Sequence, residues 1–148
     1  MALTVRSAEI TDVDGLVRLF LQLGHSGAGD GLPVRLKMLL ADPRADALVA
    51  QDGGALLGLA TIFFVPVAHE SAPWCRITAL VVDEGHRGRG LGRALVVAAE
   101  AAAETAGCSR IEATSALHRT EAHDFYKGLG FARQSEHFLK RLPTPRSF

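Results

Sequence analysis

The chain of 148 residues contains little cysteine, no excess of charge and no long apolar run. Its two cysteines, Cys75 and Cys108, form no Cys-x-x-Cys pair and have no second ligand at metal spacing. We therefore expect reduced thiols, with neither a disulfide framework nor a metal site. Sixteen Lys and Arg balance sixteen Asp and Glu, which argues against a nucleic-acid-binding surface. The most apolar stretch, residues 95–103, is interrupted by Glu100 and is too short to span a bilayer.

The start of the chain lacks the features of a secretory signal. Residues 1–10 contain Arg6 and Glu9 and have no apolar core of the kind that a signal peptide requires. The composition, 48% hydrophobic and 22% charged, is typical of a globular domain, and the length suits one domain. We therefore expect a single cytoplasmic domain over residues 1–148, with no membrane partner and no nucleic-acid partner.

The spacing of apolar residues predicts helices and strands in a mixed order. Helical periodicity predicts helices over residues 12–23, 34–40, 90–106 and 121–129. Runs of apolar and β-branched residues predict strands over residues 4–7, 47–51, 55–65, 76–82 and 109–115, and the last strands within 131–141. Because helices occur both before and between the strands, we expect a mixed α/β sheet.

The most informative segment, residues 83–93, combines glycine with positive charge. A predicted strand leads into it, Gly88, Gly90 and Gly92 follow at two-residue spacing, and an amphipathic helix leads out. Free N–H groups at a helix start, with glycines that allow close approach of the backbone, make a site for a phosphate or a pyrophosphate. Cationic charge is added at three positions, Arg87, Arg89 and Arg93. The segment therefore predicts an anion-binding loop.

Two well-known phosphate-binding loops fit this segment less well. A Walker loop requires Gly-x-x-x-x-Gly-Lys-Ser/Thr, and the chain contains no such segment. A dinucleotide-binding loop requires Gly-x-Gly-x-x-Gly; Gly88 and Gly90 supply two positions, but Arg93 occupies the third. Glu112 does lie at the offset expected for a ribose-binding acid, but the missing glycine disfavours a dinucleotide site.

A third kind of loop fits at every position. Residues 87–92 read Arg-x-x-Gly-x-Gly, which resembles the acetyl-coenzyme A pyrophosphate loop of the GCN5-related N-acetyltransferases (GNAT family). The resemblance extends along essentially the whole chain, through a strand like 78–82, a strand like 111–115, the pair Phe125-Tyr126 and then Gly130-Phe131. Residues 119–126 and 137–139 look like those of the aminoalkylphosphonate and other small-amine N-acetyltransferases in this family.

This resemblance implies a mixed, mostly antiparallel sheet flanked by helices, with acetyl-CoA as cofactor. It implies direct attack of a neutral primary amine, of a small molecule, on the acetyl thioester, with Tyr126 as the acid that protonates the departing thiolate. Many relatives are homodimers, so it also implies a possible homodimer. The cofactor-binding residues that it implies, counting the strand backbone that holds the pantetheine arm, are Leu80, Val81, Val82, Arg87, Gly88, Arg89, Gly90, Leu91, Gly92, Arg93, Phe125 and Tyr126.

The general base is not evident from the sequence. Related enzymes often carry a Glu on the strand before the loop, but residues 76–82 contain no carboxylate. We take Glu112 as the candidate catalytic base, although its strand leaves open whether it faces a cleft or solvent. Water that passes the proton to solvent is a further possibility. The other candidates are Glu70, His69, His118 and His123.

The acceptor and the biological role stay open at this point. His25, Asp30, His69 and Glu70 would attract a cationic amine, whereas Arg76 and Arg119 would bind an acidic group of the substrate. A module that binds acyl-CoA without turnover is one alternative, favoured by the missing strand carboxylate. A protein N-terminal or lysine acetyltransferase is another.

Overall fold

The computed structural model describes residues 2–23, 31–114 and 120–143. The chain divides into two compact units, Met1–Ala113 and Thr114–Phe148. The first contains a five-stranded sheet with three α-helices, and the described part of the second contains one helix. No helix in the described ranges is long and apolar enough to cross a membrane. The predicted extent of one domain over residues 1–148 stays a prediction.

The sheet is mixed and mostly antiparallel, which confirms the predicted fold class. Its strands are β1 (Leu3–Ser7), β2 (Ala45–Asp52), β3 (Ala55–Val65), β4 (Trp74–Val82) and β5 (Arg110–Ala113). They lie in chain order, and every neighbouring pair is antiparallel except β4 and β5, which are parallel. The β2–β3 connection is a tight turn in which Gly53 has φ of +59°, a value that glycine adopts readily.

The described residues form four α-helices, three in the first unit and one in the second, and all of them were predicted to within about two residues at their ends. They are α1 (Val13–Gln22), α2 (Leu32–Ala41), α3 (Leu91–Thr105) and α4 (Thr120–Gly128). Short 3₁₀ turns occur at Ile10–Asp12, before α1, and at Glu84–His86, between β4 and α3. Pro33 lies in the first turn of α2, where its missing N–H would have had no helical partner.

The helices of the first unit cover both faces of the sheet. One core joins α1 and α2 to the sheet through Val13, Leu16, Leu19, Leu32, Leu36, Ala47, Val49, Leu59 and Val81. A Cβ on Gly58 would lie 2.9 Å from Leu95 Cδ1 of α3. Because successive side chains of a strand point to opposite faces, α3 packs on the face opposite Leu59 and therefore opposite α1 and α2.

A β-bulge interrupts β4 halfway along its length. Thr61 pairs with Ala79 and the next residue, Ile62, pairs with Ile77, so Thr78 is the extra residue in β4. The parallel pairing with β5 ends at the same point, because only residues 74–77 of β4 pair with β5. From Ala79 to Val82, β4 pairs with β3 alone among the described strands. The bulge therefore marks where β4 and β5 part.

The last strands, predicted within residues 131–141, are absent. Residues 131–143 are described with neither helix nor strand, and the side chains of Phe138, Leu139 and Leu142 are 85%, 63% and 74% exposed. A strand is stabilised by pairing with a neighbour, and the described part of this unit contains no strand to serve as one. The prediction of strands within residues 131–141 was wrong.

Candidate active site

The glycine-rich loop leaves the start of α3 open to an anion. Gly88 and Gly90 have φ of +79° and +82°, and a Cβ on either would meet nothing within 4 Å. Gly90 is the N-cap and supplies no side-chain cap, and the first helical hydrogen bond runs from Ala94 N to Gly90 O at 3.0 Å. The N–H groups of residues 91–93 therefore have no partner within the helix, which is the arrangement that binds phosphates.

Three exposed guanidinium groups surround this helix start. Arg87, Arg89 and Arg93 are all exposed, and none forms an ion pair with a described residue. Arg87 Nε donates to Val82 O at 3.3 Å, which holds that side chain against the end of β4. Backbone donors together with cations that form no ion pair among the described residues suit a phosphate group. The predicted binding of a CoA diphosphate at this loop stays a prediction.

The open edge of β4 continues directly into this loop. On the side of β5, the backbone groups of residues 78–82 have no partner strand among the described residues. This edge includes Leu80, Val81 and Val82, and Asp83 then begins the loop. An extended ligand can add to such an edge through backbone hydrogen bonds. The open edge of β4 and the uncapped start of α3 thus lie at the two ends of the connecting residues 83–90.

Glu112, the candidate base, is held in an ion pair. Its Oε1 accepts from Arg76 Nε at 2.7 Å and lies 2.6 Å from Arg76 Nη2, and Arg110 Nη2 lies 3.7 Å from Oε2. Arg76 pairs with Glu112 across β4 and β5, and with Phe63 across β3 and β4. Phe63 shares the face of Leu59, so this ion pair lies on the face of α1 and α2.

Trp74 anchors a second group of polar side chains where β4 begins. The Arg110 guanidinium lies 3.4 Å from the centre of the Trp74 ring, and the indole Nε1 donates to Glu70 Oε2 at 2.5 Å. His69 meets the same ring edge-on at 5.7 Å. Glu70 and His69, two other candidate bases, therefore both contact Trp74. The candidates His25, Asp30, His118 and Arg119 lie outside the described residues.

A pair of threonines marks the bulge. Thr61 is 2% exposed, and its hydroxyl lies 2.7 Å from the hydroxyl of Thr78, which also donates to Thr61 O at 3.2 Å. Thr78 is exposed on the far side of this contact, at the point where β4 and β5 part. The bulge thus places one ordered hydroxyl at the end of the open edge.

Tyr126 belongs to the second unit, on α4. Its ring packs edge-on against Phe125 at 5.2 Å and against Phe131 at 5.3 Å, and its carbonyl accepts the N–H of Phe131 at 3.0 Å. These contacts give Tyr126 a packing role within α4 and the residues that follow it. His123, the remaining candidate base, lies one turn earlier on the same helix. The roles of Tyr126 and Phe125 toward a cofactor stay predictions.

The sequence profile of the acetyltransferase (GNAT) family matches residues 16–131, which is more than half of the chain. The chain belongs to the GNAT family. This membership makes it, by class, an N-acetyltransferase that depends on acetyl-CoA. The loop at residues 87–92, on which the resemblance was first based, lies within the matched region.

Individual relatives agree with this membership. The chain is 27% identical over 143 residues to an aminoalkylphosphonate N-acetyltransferase of Salmonella typhimurium, covering 93% of this chain and 90% of the relative. A structure from Agrobacterium tumefaciens, provisionally named an acetyltransferase, is 29% identical with a TM-score of 0.87, covering 94% and 99% of the two chains. The enzyme AAC(6')-Iy, solved with a bisubstrate analogue of CoA, shares the fold at 18% identity and a TM-score of 0.86, covering 97% and 100%.

The cysteines are poor nucleophiles for a GNAT enzyme. Cys75 is fully buried, and loss of solvation raises the pKa of its thiol to about 11. Burial also raises the pKa of Cys108. A protonated thiol does not attack a thioester, so neither cysteine suits an acetyl-enzyme intermediate at neutral pH. Among the described residues, no group of three or more His, Cys, Asp or Glu side chains could hold a metal ion.

Proposed function

We propose that this GNAT enzyme transfers the acetyl group of acetyl-CoA to the primary amine of a small molecule, by direct attack within a ternary complex. The observation that carries the proposal is the open edge of β4, which runs from the bulge at Thr78 into the uncapped start of α3. An edge of this kind suits an extended arm, and the helix start suits the diphosphate to which that arm is joined.

The cofactor supplies a thioester whose carbonyl carbon is open to attack by an amine. In the proposal, the N–H groups of residues 91–93 and the cations Arg87, Arg89 and Arg93 bind the diphosphate. The backbone of residues 80–82 binds the arm, and the amide of Leu80 or Val82 donates a hydrogen bond to the carbonyl oxygen. Such a donor stabilises the charge that develops on that oxygen during attack.

The acceptor side of the site lies, in the proposal, on the face that carries Thr78 and Arg76. The Thr78 hydroxyl, held by Thr61, accepts a hydrogen bond from the attacking amine and orients it. Glu112 contributes by holding Arg76 in place, because the ion pair at 2.6 Å occupies the carboxylate that a base would need. The proton then leaves through water, which is sufficient where part of the amine is already neutral.

The proton for the departing thiolate is assigned to Tyr126. This role rests on the resemblance of the Phe125-Tyr126 pair to the GNAT pattern and on the absence of any other tyrosine in the chain. The ring contacts of Tyr126 with Phe125 and Phe131 restrict the position of the ring that carries this hydroxyl.

The preferred acceptor, in the proposal, carries an acidic group beside its amine. Arg76 and Arg110 lie on one face around Glu112, and their side chains are 43% and 46% exposed. A guanidinium has five donors, so the bonds to Glu112 leave others available to an anion. The Salmonella relative is named for an acceptor of this kind, an aminoalkylphosphonate.

The test is the release of CoA, measured with a thiol reagent, from acetyl-CoA and a panel of amines. The panel contains an aminoalkylphosphonate, an alkylamine of equal length without the phosphonate, an amino sugar and a peptide with a free N-terminus. We expect amine-dependent release, fastest with the aminoalkylphosphonate. Tight binding of acetyl-CoA with no release for any amine would establish a binding module instead. Release with the peptide alone would establish a protein acetyltransferase.

A further inference from the structure

We infer that Asp83 is a positioning residue for the cofactor loop, through which helix α1 holds the entrance of that loop and sets its affinity for CoA. The inference rests on the proposed function, since it concerns the same loop. Asp83 directly follows β4 and precedes the 3₁₀ turn Glu84–His86, so its geometry decides the direction in which the loop leaves the sheet.

Two residues of α1, Arg18 and Gln22, form hydrogen bonds with Asp83 and Glu84 of the loop. We call this set of hydrogen bonds the grip. Asp83 Oδ1 accepts from Arg18 Nη1 at 2.6 Å and from Gln22 Nε2 at 2.9 Å. Gln22 also accepts, through its Oε1, the N–H of Glu84 at 2.9 Å. Arg18 and Gln22 are four residues apart, which puts them on one side of the helix. The primary amide of Gln22 therefore spans two consecutive residues of the loop.

A residue of the loop itself also contacts the Asp83 carboxylate. His86 Nδ1 lies 2.8 Å from Asp83 Oδ2, and the N–H of His86 donates to Asp83 O at 2.9 Å. Arg18 is fixed at its other end, because its Nη2 donates to Leu56 O on β3 at 2.6 Å. Asp83 thus joins α1, β3 and the loop at one carboxylate, whose side chain is 15% exposed.

The carboxylate stays ionised in this setting. The hydrogen bonds from Gln22, His86 and Arg18 hold the pKa of Asp83 well below its usual range. An ionised carboxylate near a diphosphate site would repel the ligand, so the charge of Asp83 does not itself favour binding. An electrostatic role and a positioning role therefore predict opposite signs: removal of the charge strengthens binding in the first case and weakens it in the second.

The chain offers a matched control at the beginning of α1. Asp12 accepts from Arg6 Nη1 and Nη2 at 2.8 and 2.9 Å and from the N–H of Glu9 at 2.7 Å, and its side chain is 11% exposed. Asp12 resembles Asp83 in its partners and burial but makes none of the hydrogen bonds to the loop. Asp12→Asn therefore reproduces the loss of a partly buried ion pair without touching the grip.

The experiment measures the affinity of the purified protein for CoA by calorimetry, together with the melting temperature. We expect Asp83→Asn and Gln22→Ala each to weaken CoA binding by about tenfold, since each loses one to three hydrogen bonds that hold the loop. We expect Asp12→Asn to lower the melting temperature as much as Asp83→Asn does and to leave CoA affinity unchanged. In turnover assays the KM for acetyl-CoA rises in both grip variants, while the KM for the amine does not.

The outcomes separate this inference from the proposed function. Unchanged or tighter CoA binding by a folded Gln22→Ala or Asp83→Asn protein overturns the positioning role. Weakening of the same size in Asp12→Asn also overturns it, since the loss would then reflect stability alone. Failure of the unmodified protein to bind CoA would instead overturn the proposed function. Gln22→Ala retains the Arg18–Asp83 ion pair, so it gives a result even where Asp83→Asn does not fold.

Discussion

The two halves of β4 differ in what surrounds them. Residues 74–77 pair on both sides, with β3 and β5, and carry the ion pair of Arg76 with Glu112. Residues 79–82 pair with β3 alone among the described strands and lead into the glycine loop. One strand is therefore paired on both sides in its first half and has an open edge in its second, where the proposed function places the cofactor. The bulge at Thr78 is the boundary between the two.

The largest effect should come from the loop beyond the open half. Gly90→Val should abolish CoA binding, because a side chain at φ of +82° strains the loop and its branched Cβ fills the space from which the diphosphate approaches. Gly53→Val is the matched control, since Gly53 also has a positive φ and open space around its Cβ. Calorimetry should show binding lost in the first variant and retained in the second. An equal loss of CoA affinity in both variants would show that the loop is not part of the CoA site.

Tyr126→Phe should have the next largest effect and should separate chemistry from binding. If the hydroxyl protonates the departing thiolate, turnover falls by roughly 10²–10⁴-fold while the affinity for CoA is little changed. Phenylalanine keeps the ring contacts with Phe125 and Phe131, so the packing of these aromatic rings is retained. Turnover at the level of the unmodified enzyme would leave Tyr126 with a packing role alone.

A substitution in the first half of β4, residues 74–77, should change the KM for the amine rather than the binding of CoA. Arg76→Ala should raise the KM for an aminoalkylphosphonate by about tenfold or more, since a charge-assisted hydrogen bond is lost. The KM for acetyl-CoA should stay the same, as should the KM for an alkylamine of equal length. Steady-state kinetics with the two amines checks this. A rise for both amines would assign Arg76 to holding the sheet together rather than to recognition.

The smallest effect should be that of Glu112→Gln, and its diagnostic value lies in the pH profile. If Glu112 only holds Arg76, the amide keeps an acceptor for the guanidinium and turnover changes little. Without a dedicated base, the rate should rise with pH up to the pKa of the amine itself. The pH–rate profiles of amines of different basicity should therefore level off at different pH values. One fixed inflection near neutrality for every amine, removed by Glu112→Gln, would identify Glu112 as the base.

The sequence predicted well wherever the signal is local. The amphipathic pattern of α3, the run from Ala55 to Val65 and the Asp52-Gly53-Gly54 turn each specify one element through neighbouring residues, and each is found in place. The glycine-rich loop could be recognised for the same reason, because its glycines and arginines lie within residues 87–93. Its binding of an anion stays a prediction.

The sequence predicted poorly wherever the decisive partner is distant. Arg18 and Asp83 are 65 residues apart, and no periodicity links them. The bulge at Thr78 depends on the register of β3 against β4, which composition does not encode. The ion pair of Glu112 with Arg76 likewise depends on the pairing of β4 with β5, so the sequence left the orientation of Glu112 open. The failed prediction near Phe138 has the same origin, since a strand also requires a partner.

The parallel pairing of β4 and β5 has a consequence for the route of the chain. Antiparallel neighbours can be joined by a two-residue turn, as at Gly53–Gly54, but parallel neighbours require a crossover, usually through a helix. Residues 83–109 are that crossover, and they carry the start of α3 to the carboxyl end of β4. New termini introduced at the Gly53–Gly54 turn would leave this arrangement intact. A break within the crossover would separate the start of α3 from the strand that precedes it, so under the proposed function the route of the chain at this connection is itself a requirement for cofactor binding.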